Sequence, residues 1–151
     1  MRLSKRCEYG IKAATRLAQR FGTGYLQSRE IAENEALPAK FLEAILLALR
    51  SGGVLESKVG AGGGYRLARA PEQILVTEVI TLLCKNEPDG ARESETGSPA
   101  DAARIGEGAL SVVNERLDEA FEASLGSMTI AELVEAAESR CTAVSPAMYY
   151  I

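Results

Sequence analysis

Four of the five residues from 60 to 64 are glycine, in the run Gly60-Ala61-Gly62-Gly63-Gly64, and such a run belongs neither inside a helix nor inside a packed strand. Val54-Leu55-Glu56-Ser57 before it and Gly64-Tyr65-Arg66-Leu67 after it each read as a short strand. The segment therefore predicts a β-hairpin with Lys58-Val59-Gly60-Ala61-Gly62-Gly63 at its tip. The same run fails as a nucleotide loop. It lacks the Gly-Lys-Ser/Thr ending of a P-loop, Tyr65 stands where a dinucleotide fingerprint needs its last glycine, and a strand follows where a helix is required.

Helical patterns surround the hairpin. From Ser4 to about Arg20, the residues Cys7, Ile11, Ala14, Ala18 and Phe21 alternate at spacings of four and three, which predicts one apolar stripe ended by Gly22 and Gly24. Ser28 is placed to cap a short helix from Arg29 to about Glu35, with Glu30 in its first turn and Ile31 and Ala32 inward. After a turn at Ala36-Leu37, Pro38 suits the first position of a third helix, whose predicted buried face is Phe41, Leu42, Ile45, Leu46 and Leu49. Lys40, Glu43 and Arg50 fall on the other side, and Gly52-Gly53 closes the helix. A fourth helix is expected from about Thr77 to Lys85, with Val79, Ile80 and Leu83 inward and Pro71 at the joint before it.

The expected fold class is therefore mainly α with a small β-hairpin wing, a winged helix-turn-helix over residues 1–85 followed by a long dimerisation helix. Residues 86–104 are rich in Pro, Gly, Ser, Glu and Asp and read as a flexible loop. Residues 105–140 read as dimerisation helices and 141–151 as a tail. The long helix is expected from about Asp101 to Leu125, with Ser98 as cap and Pro99 early in it, and carries Leu110, Val113, Leu117 and Phe121 on one stripe. A helix of that length needs a partner, and the simplest is its own copy in a homodimer. Thr129-Ile130-Ala131-Glu132 is a capping box, with Met128 and Leu133 at staple positions, so a last helix runs to about Ser139.

Charge is divided along the chain. Residues 1–70 hold 12 Lys+Arg against 6 Asp+Glu, whereas 71–151 hold 5 against 15, so net values of +6 and −10 lie behind the overall −4. A basic half joined to an acidic half suggests a polyanion partner for the first. The chain has no histidine, which excludes Ser-His-Asp and Cys-His catalysis and removes the commonest zinc ligand. No convergent set of acid, base or metal ligands points to an enzyme. Three cysteines at wide spacing, Cys7, Cys84 and Cys141, suit neither a disulfide framework nor a metal knuckle. Cys7 and Cys84 are expected in the core, and Cys141 near the tail is the candidate exposed thiol. No apolar run is long enough to span a membrane, and no apolar segment follows the basic start Met1-Arg2-Leu3-Ser4-Lys5-Arg6, so the expected location is cytoplasmic.

Double-stranded DNA is the expected partner. At the N-terminal end of the third helix, Pro38, Ala39, Lys40, Phe41 and Glu43 stand where a recognition helix meets base edges. Lys40 can reach guanine acceptors or a phosphate, and Glu43 can accept from a cytosine amino group. Ser28 and Arg50 suit phosphate, and Lys5 adds a cation at the start of the first helix. In the wing, Gly60, Gly62 and Gly63 let backbone approach a phosphate chain, with Lys58, Tyr65 and Arg66 beside them.

Met1-Arg2-Leu3-Ser4, Tyr9, Phe41-Leu42-Glu43, Leu49-Arg50, Gly53 and the stretch from Gly60 to Arg69 together resemble the Rrf2 family of bacterial transcription regulators, whose members include iron–sulfur cluster regulators and a cysteine metabolism repressor. The similarity is strong over residues 1–85 and extends by pattern to 105–137, through Met128-Thr129-Ile130-Ala131-Glu132-Leu133-Val134. The resemblance implies a homodimer that crosses its long helices, with third helices in successive major grooves and wings at the adjacent minor grooves, and a sequence-specific, mainly repressing regulator is the expected function. A regulatory protein partner is the alternative it allows, the winged fold then serving as an interaction module for a metabolic enzyme. Two departures stand out. Val59 occupies the wing position where many members carry arginine, and residues 86–110 lack the three cysteines of cluster-binding members, so neither an iron–sulfur cluster nor any other cofactor is expected. Glu8 stands where some members supply a carboxylate ligand.

Overall fold

The computed structural model describes residues 3–85 and 105–143. The expected loop 86–104, the first turn of the long helix with Ser98 and Pro99, and the tail beyond residue 143 lie outside the described residues. The described elements are α1 (Lys5–Gln19), α2 (Ser28–Glu35), α3 (Ala39–Ser51), β1 (Leu55–Lys58), β2 (Gly64–Leu67), a 3-10 turn (Pro71–Gln73), α4 (Val76–Lys85), α5 (Ile105–Leu125) and α6 (Ile130–Ala143). They divide into two compact units: α1 to α4 with the wing and α6 form one, and α5 belongs to the other.

α1 begins at Ser4, whose hydroxyl accepts from the Cys7 N–H at 3.3 Å. Its buried residues are Cys7, Gly10, Ala13, Ala14 and Leu17. The apolar stripe is thus rotated from the expected one: Ile11 and Ala18 lie at its margin, and Phe21, beyond the helix end, is exposed. Small residues win the buried face because other helices approach closely there. A Cβ built on Gly10 would fall 2.1 Å from the Leu83 Cδ1 atom of α4. Leu42, Ile45, Leu46 and Leu49 of α3 are fully enclosed, and Phe41 is not among them at 56% exposure. The spacing 42-45-46-49 already completes one face, and Phe41, about 100° round the helix from Leu42, is left outside it.

The hairpin pairs Leu55 with Leu67 and Lys58 with Gly64, one residue later at its first strand than the sequence suggests. Its inner ends, Leu55 and Leu67, are buried with Val54 against the helices. α4 carries Val79, Ile80 and Leu83 inward as expected, whereas Cys84 is exposed. It occupies the last turn of α4, exposed on one side while its Sγ meets the buried Cys7 Sγ.

α6 folds with the N-terminal elements although it follows the long helix in sequence. The expected capping box is present: the Glu132 carboxylate accepts from the Thr129 N–H at 2.8 Å, and the Thr129 hydroxyl accepts from the Glu132 N–H at 3.2 Å. Backbone bonds from Val76 N–H to Met128 O (2.9 Å) and from Ile130 N–H to Ile74 O (2.8 Å) tie this corner to the entry of α4, and Ile130 is fully buried. Among the described residues, no helix is long and apolar enough to cross a membrane.

Candidate nucleic-acid interface

The helix-turn-helix is built on an unusual corner. Ala36, the C-cap of α2 and the first of three residues between α2 and α3, has φ 52° and ψ 48°, the left-handed region that non-glycine residues seldom enter. It is held there by the next residue, because the Leu37 N–H donates back to Ala32 O at 2.8 Å while the Leu37 side chain is buried. Pro38 follows with φ −65° and ψ 120°, so it is the N-cap of α3 and not its first helical residue as expected from sequence. Its carbonyl accepts from the Leu42 N–H at 3.0 Å.

Neither α2 nor α3 has a side-chain cap. Ser28 was expected to cap α2, but it is the first helical residue and Gln27 takes the cap position. The cause is the wing. Leu26 is bridged to Tyr65 by two backbone bonds, which keeps the chain extended through Gln27 and starts the helix one residue earlier than the serine signal implies. The first N–H groups of both helices have no intrahelical acceptor, so two partial positive charges are presented at exposed ends. Around the α3 end lie Pro38, Ala39, Lys40, Phe41 and Glu43, all exposed. Phe41 stands edge-on to Tyr9 of α1, with ring centroids 6.4 Å apart and planes at 87°, so it is braced without being buried. Arg50 is exposed at the other end of α3, about 15 Å along the axis from Lys40.

The two wing cations differ in their surroundings. Arg66 faces Glu56 across the hairpin and is ion-paired to it, and the same guanidinium lies 4.5 Å from the centre of the Tyr25 ring. The Glu56 carboxylate raises the Arg66 pKa above its ordinary value. Lys58, at the turn end of β1, has no ion pair among the described residues, and neither have Lys40 and Arg50. Gly60 and Gly62 are exposed with positive φ, as the tip requires. Gly63 is buried, and its N–H closes the turn onto Gly60 O at 3.0 Å. Tyr65 is half-buried at the wing base. Lys5 is exposed in the first turn of α1 and paired with Glu8 at 2.6 Å, which holds its ammonium above the usual lysine range.

The geometry adds residues that sequence reasoning passed over. Gln27 and Arg29 flank Ser28 at the uncapped start of α2, both exposed, with Arg29 held by Glu33 at 2.9 Å. The argument that placed Ser28 near phosphate applies equally to its neighbours. On α5, Leu110, Val113 and Leu117 are exposed along the expected stripe, at 54%, 53% and 43%, and Phe121 is half-buried. Among the described residues, no group of three or more His, Cys, Asp or Glu side chains is placed to hold a metal ion.

Comparison with known proteins agrees with the winged helix-turn-helix fold. The family model Rrf2, an iron-dependent transcriptional regulator, matches residues 3–136. The HTH-type transcriptional regulator IscR of Cereibacter sphaeroides is 29% identical over all of this chain and 97% of its own length. Among solved structures, T. potens IscR superposes with a TM-score of 0.70 at 31% identity, covering 93% of this chain and 90% of that one. CymR, the global cysteine regulator of B. subtilis, gives a TM-score of 0.66 at 26% identity, covering 90% of this chain and 98% of its own.

Proposed function

Because this chain belongs to the Rrf2 family and is a DNA-binding HTH-type transcription regulator, we propose that it works in the cytoplasm as a homodimeric repressor that reads a pseudo-palindromic operator. The observation that carries the reading is the start of α3. An uncapped helix end, with Lys40 and Glu43 exposed beside it and Phe41 braced by Tyr9, is a surface made to enter a major groove. Its N–H groups and Lys40 draw in the polyanion, and Glu43 selects among base edges. The start of α2, with Gln27, Ser28 and Arg29, lies on the phosphate chain, and Lys58 with the glycine tip follows the neighbouring minor groove. With Val59 almost wholly exposed at the tip and Arg66 held at the base by Glu56, the wing grips backbone more than it reads sequence. Pairing of α5 with its copy through Leu110, Val113, Leu117 and Phe121 sets the half-sites about 34 to 36 Å apart, or a multiple of that.

This protein's donor set does not suit an iron–sulfur cluster. The whole chain has three thiols, none of them between residues 86 and 110, and two of the three, Cys7 and Cys84, lie against each other at 3.4 Å. Such clusters take about four ligands, mostly thiolates. In this reading repression is therefore relieved by some other signal.

Selection of bound fragments from a genomic library at two salt concentrations tests the proposal. Recovery of a two-fold sequence, retained over bulk DNA as salt rises, is the expected result. Enrichment of no sequence would remove operator reading and leave the winged fold as a module for protein contacts.

A further inference from the structure

Gly10 of α1 presents no side chain to α4, and Leu83 fills the place where a Cβ would stand. One turn before Gly10 stands Cys7, and one residue after Leu83 stands Cys84, so the same close approach brings two sulfurs together. The Sγ atoms are 3.4 Å apart. Cys7 is enclosed, at 1% exposure, with its Sγ 4.0 Å from Ile80 O, whereas Cys84 is exposed. A buried thiol behind an exposed one is the arrangement of a resolving and a reacting cysteine.

We propose that Cys7 and Cys84 form an oxidisable dithiol site, whose co-reactant is a peroxide and whose product is a disulfide joining α1 to α4. The exposed Cys84 thiolate attacks one peroxide oxygen. The S–O bond forms, the O–O bond breaks and the leaving oxygen departs as water, giving the sulfenic acid. Cys7 then attacks the Cys84 sulfur. The S–S bond forms, the S–O bond breaks, and the hydroxide leaves as a second water with the proton from Cys7. Two thiols lose two electrons and one peroxide becomes two waters.

Closure to a disulfide bond length of about 2.05 Å needs each sulfur to move about 0.7 Å. Both residues lie in terminal turns, Cys7 third in α1 and Cys84 next to last in α4, where helices give most easily. The bond would enclose nearly the whole winged domain in one loop. Its largest effect on stability is therefore on the unfolded chain. Cys141, exposed near the end of α6, takes no part.

The test uses the full chain, treated with hydrogen peroxide in the folded state. The thiol count in denaturant should fall from three to one, and trypsin should release residues 7–12 joined to residues 70–85. Cys141→Ser should form the same link. Cys7→Ser should leave Cys84 as a sulfenic acid that dimedone traps, and Cys84→Ser should leave Cys7 reduced. The oxidised protein should melt at least about 5 °C above the reduced one. Three thiols surviving a peroxide dose that oxidises free cysteine, a link through Cys141, or trapped sulfenic acid on wild-type Cys84 beside a reduced Cys7 would each overturn the assignment.

Discussion

Leu26 and Tyr65 exchange two backbone hydrogen bonds, of 2.9 and 2.7 Å, and so fasten the second wing strand to the residue just ahead of the cap of α2. Through this contact the wing is an extension of the helix-turn-helix and not a free ribbon. Gly64 makes the contact possible. Its φ is +135°, and a Cβ there would lie 2.1 Å from Leu26 O.

Gly64→Ala is therefore expected to undock the wing. Strain at this φ and collision with backbone together should cost about 2 to 4 kcal/mol, since backbone cannot swing aside as a side-chain end can. Urea unfolding measures the loss, and hydrogen exchange at Leu26 and Tyr65 locates it. Slow exchange at both amides in the variant would show that the bridge does not depend on the glycine.

Lys40 and Lys58 are both exposed cations without ion pairs among the described residues, yet they are assigned different work. Lys40→Ala should lower the preference for the best operator over scrambled DNA by about 1 to 3 kcal/mol. Lys58→Ala should weaken both DNAs alike and reduce the slope of log affinity against log salt by about one. Titrations at several salt concentrations separate the two, and an equal loss on both DNAs from Lys40→Ala would contradict base reading at that position.

Ala36 pays a conformational penalty that glycine would not. Ala36→Gly should stabilise the fold by about 0.5 to 1 kcal/mol, the left-handed strain relieved being partly offset by the greater freedom of glycine in the unfolded chain. A raised urea midpoint at unchanged slope is the expected reading.

Most of the architecture was legible because each element announces itself locally: the 42-45-46-49 spacing of α3, the glycine tip of the wing, and the capping box at Thr129 and Glu132 all depend on neighbours in sequence. What escaped was set by distant contacts. Ser28 lost its capping place because Tyr65, far along the chain, fixes Leu26. Gly10 reads as a weak point in a helix until Leu83 is seen against it, and the neighbouring sulfurs of Cys7 and Cys84 are 77 residues apart in sequence. The α2–α3 corner carries no glycine, so nothing local marks Ala36 as left-handed. In the candidate site, the residue types at the start of α3 were readable, while the pairing of Arg66 with Glu56, which separates it from Lys58, needed the register of the hairpin.

Gly10→Ala should drive α1 and α4 apart. The added Cβ would overlap Leu83 and lie 3.5 Å from Ile45 Cγ2, and Leu83, fully buried, has little space to yield. A loss of about 1 to 3 kcal/mol is expected. Adding Leu83→Ala should recover part of it, giving a favourable coupling in the double-mutant cycle. Simple additivity of the two losses would show that the helices do not meet there.

The proposed homodimer rests on the stripe of α5. Leu110, Val113 and Leu117 are about half exposed within the single chain, so carboxylates at these positions would reach water. Val113→Glu with Leu117→Glu should accordingly leave the melting of the winged unit nearly unchanged while placing four like charges in each two-fold seam, two from each copy. Sedimentation should then show a monomer. Each monomer would hold one half-site, and affinity for the full operator should fall by about 100-fold or more as the linkage of two recognition helices is lost. A variant that still sediments as a dimer would move the interface off this helix, and a monomer with undiminished operator affinity would separate DNA reading from pairing altogether.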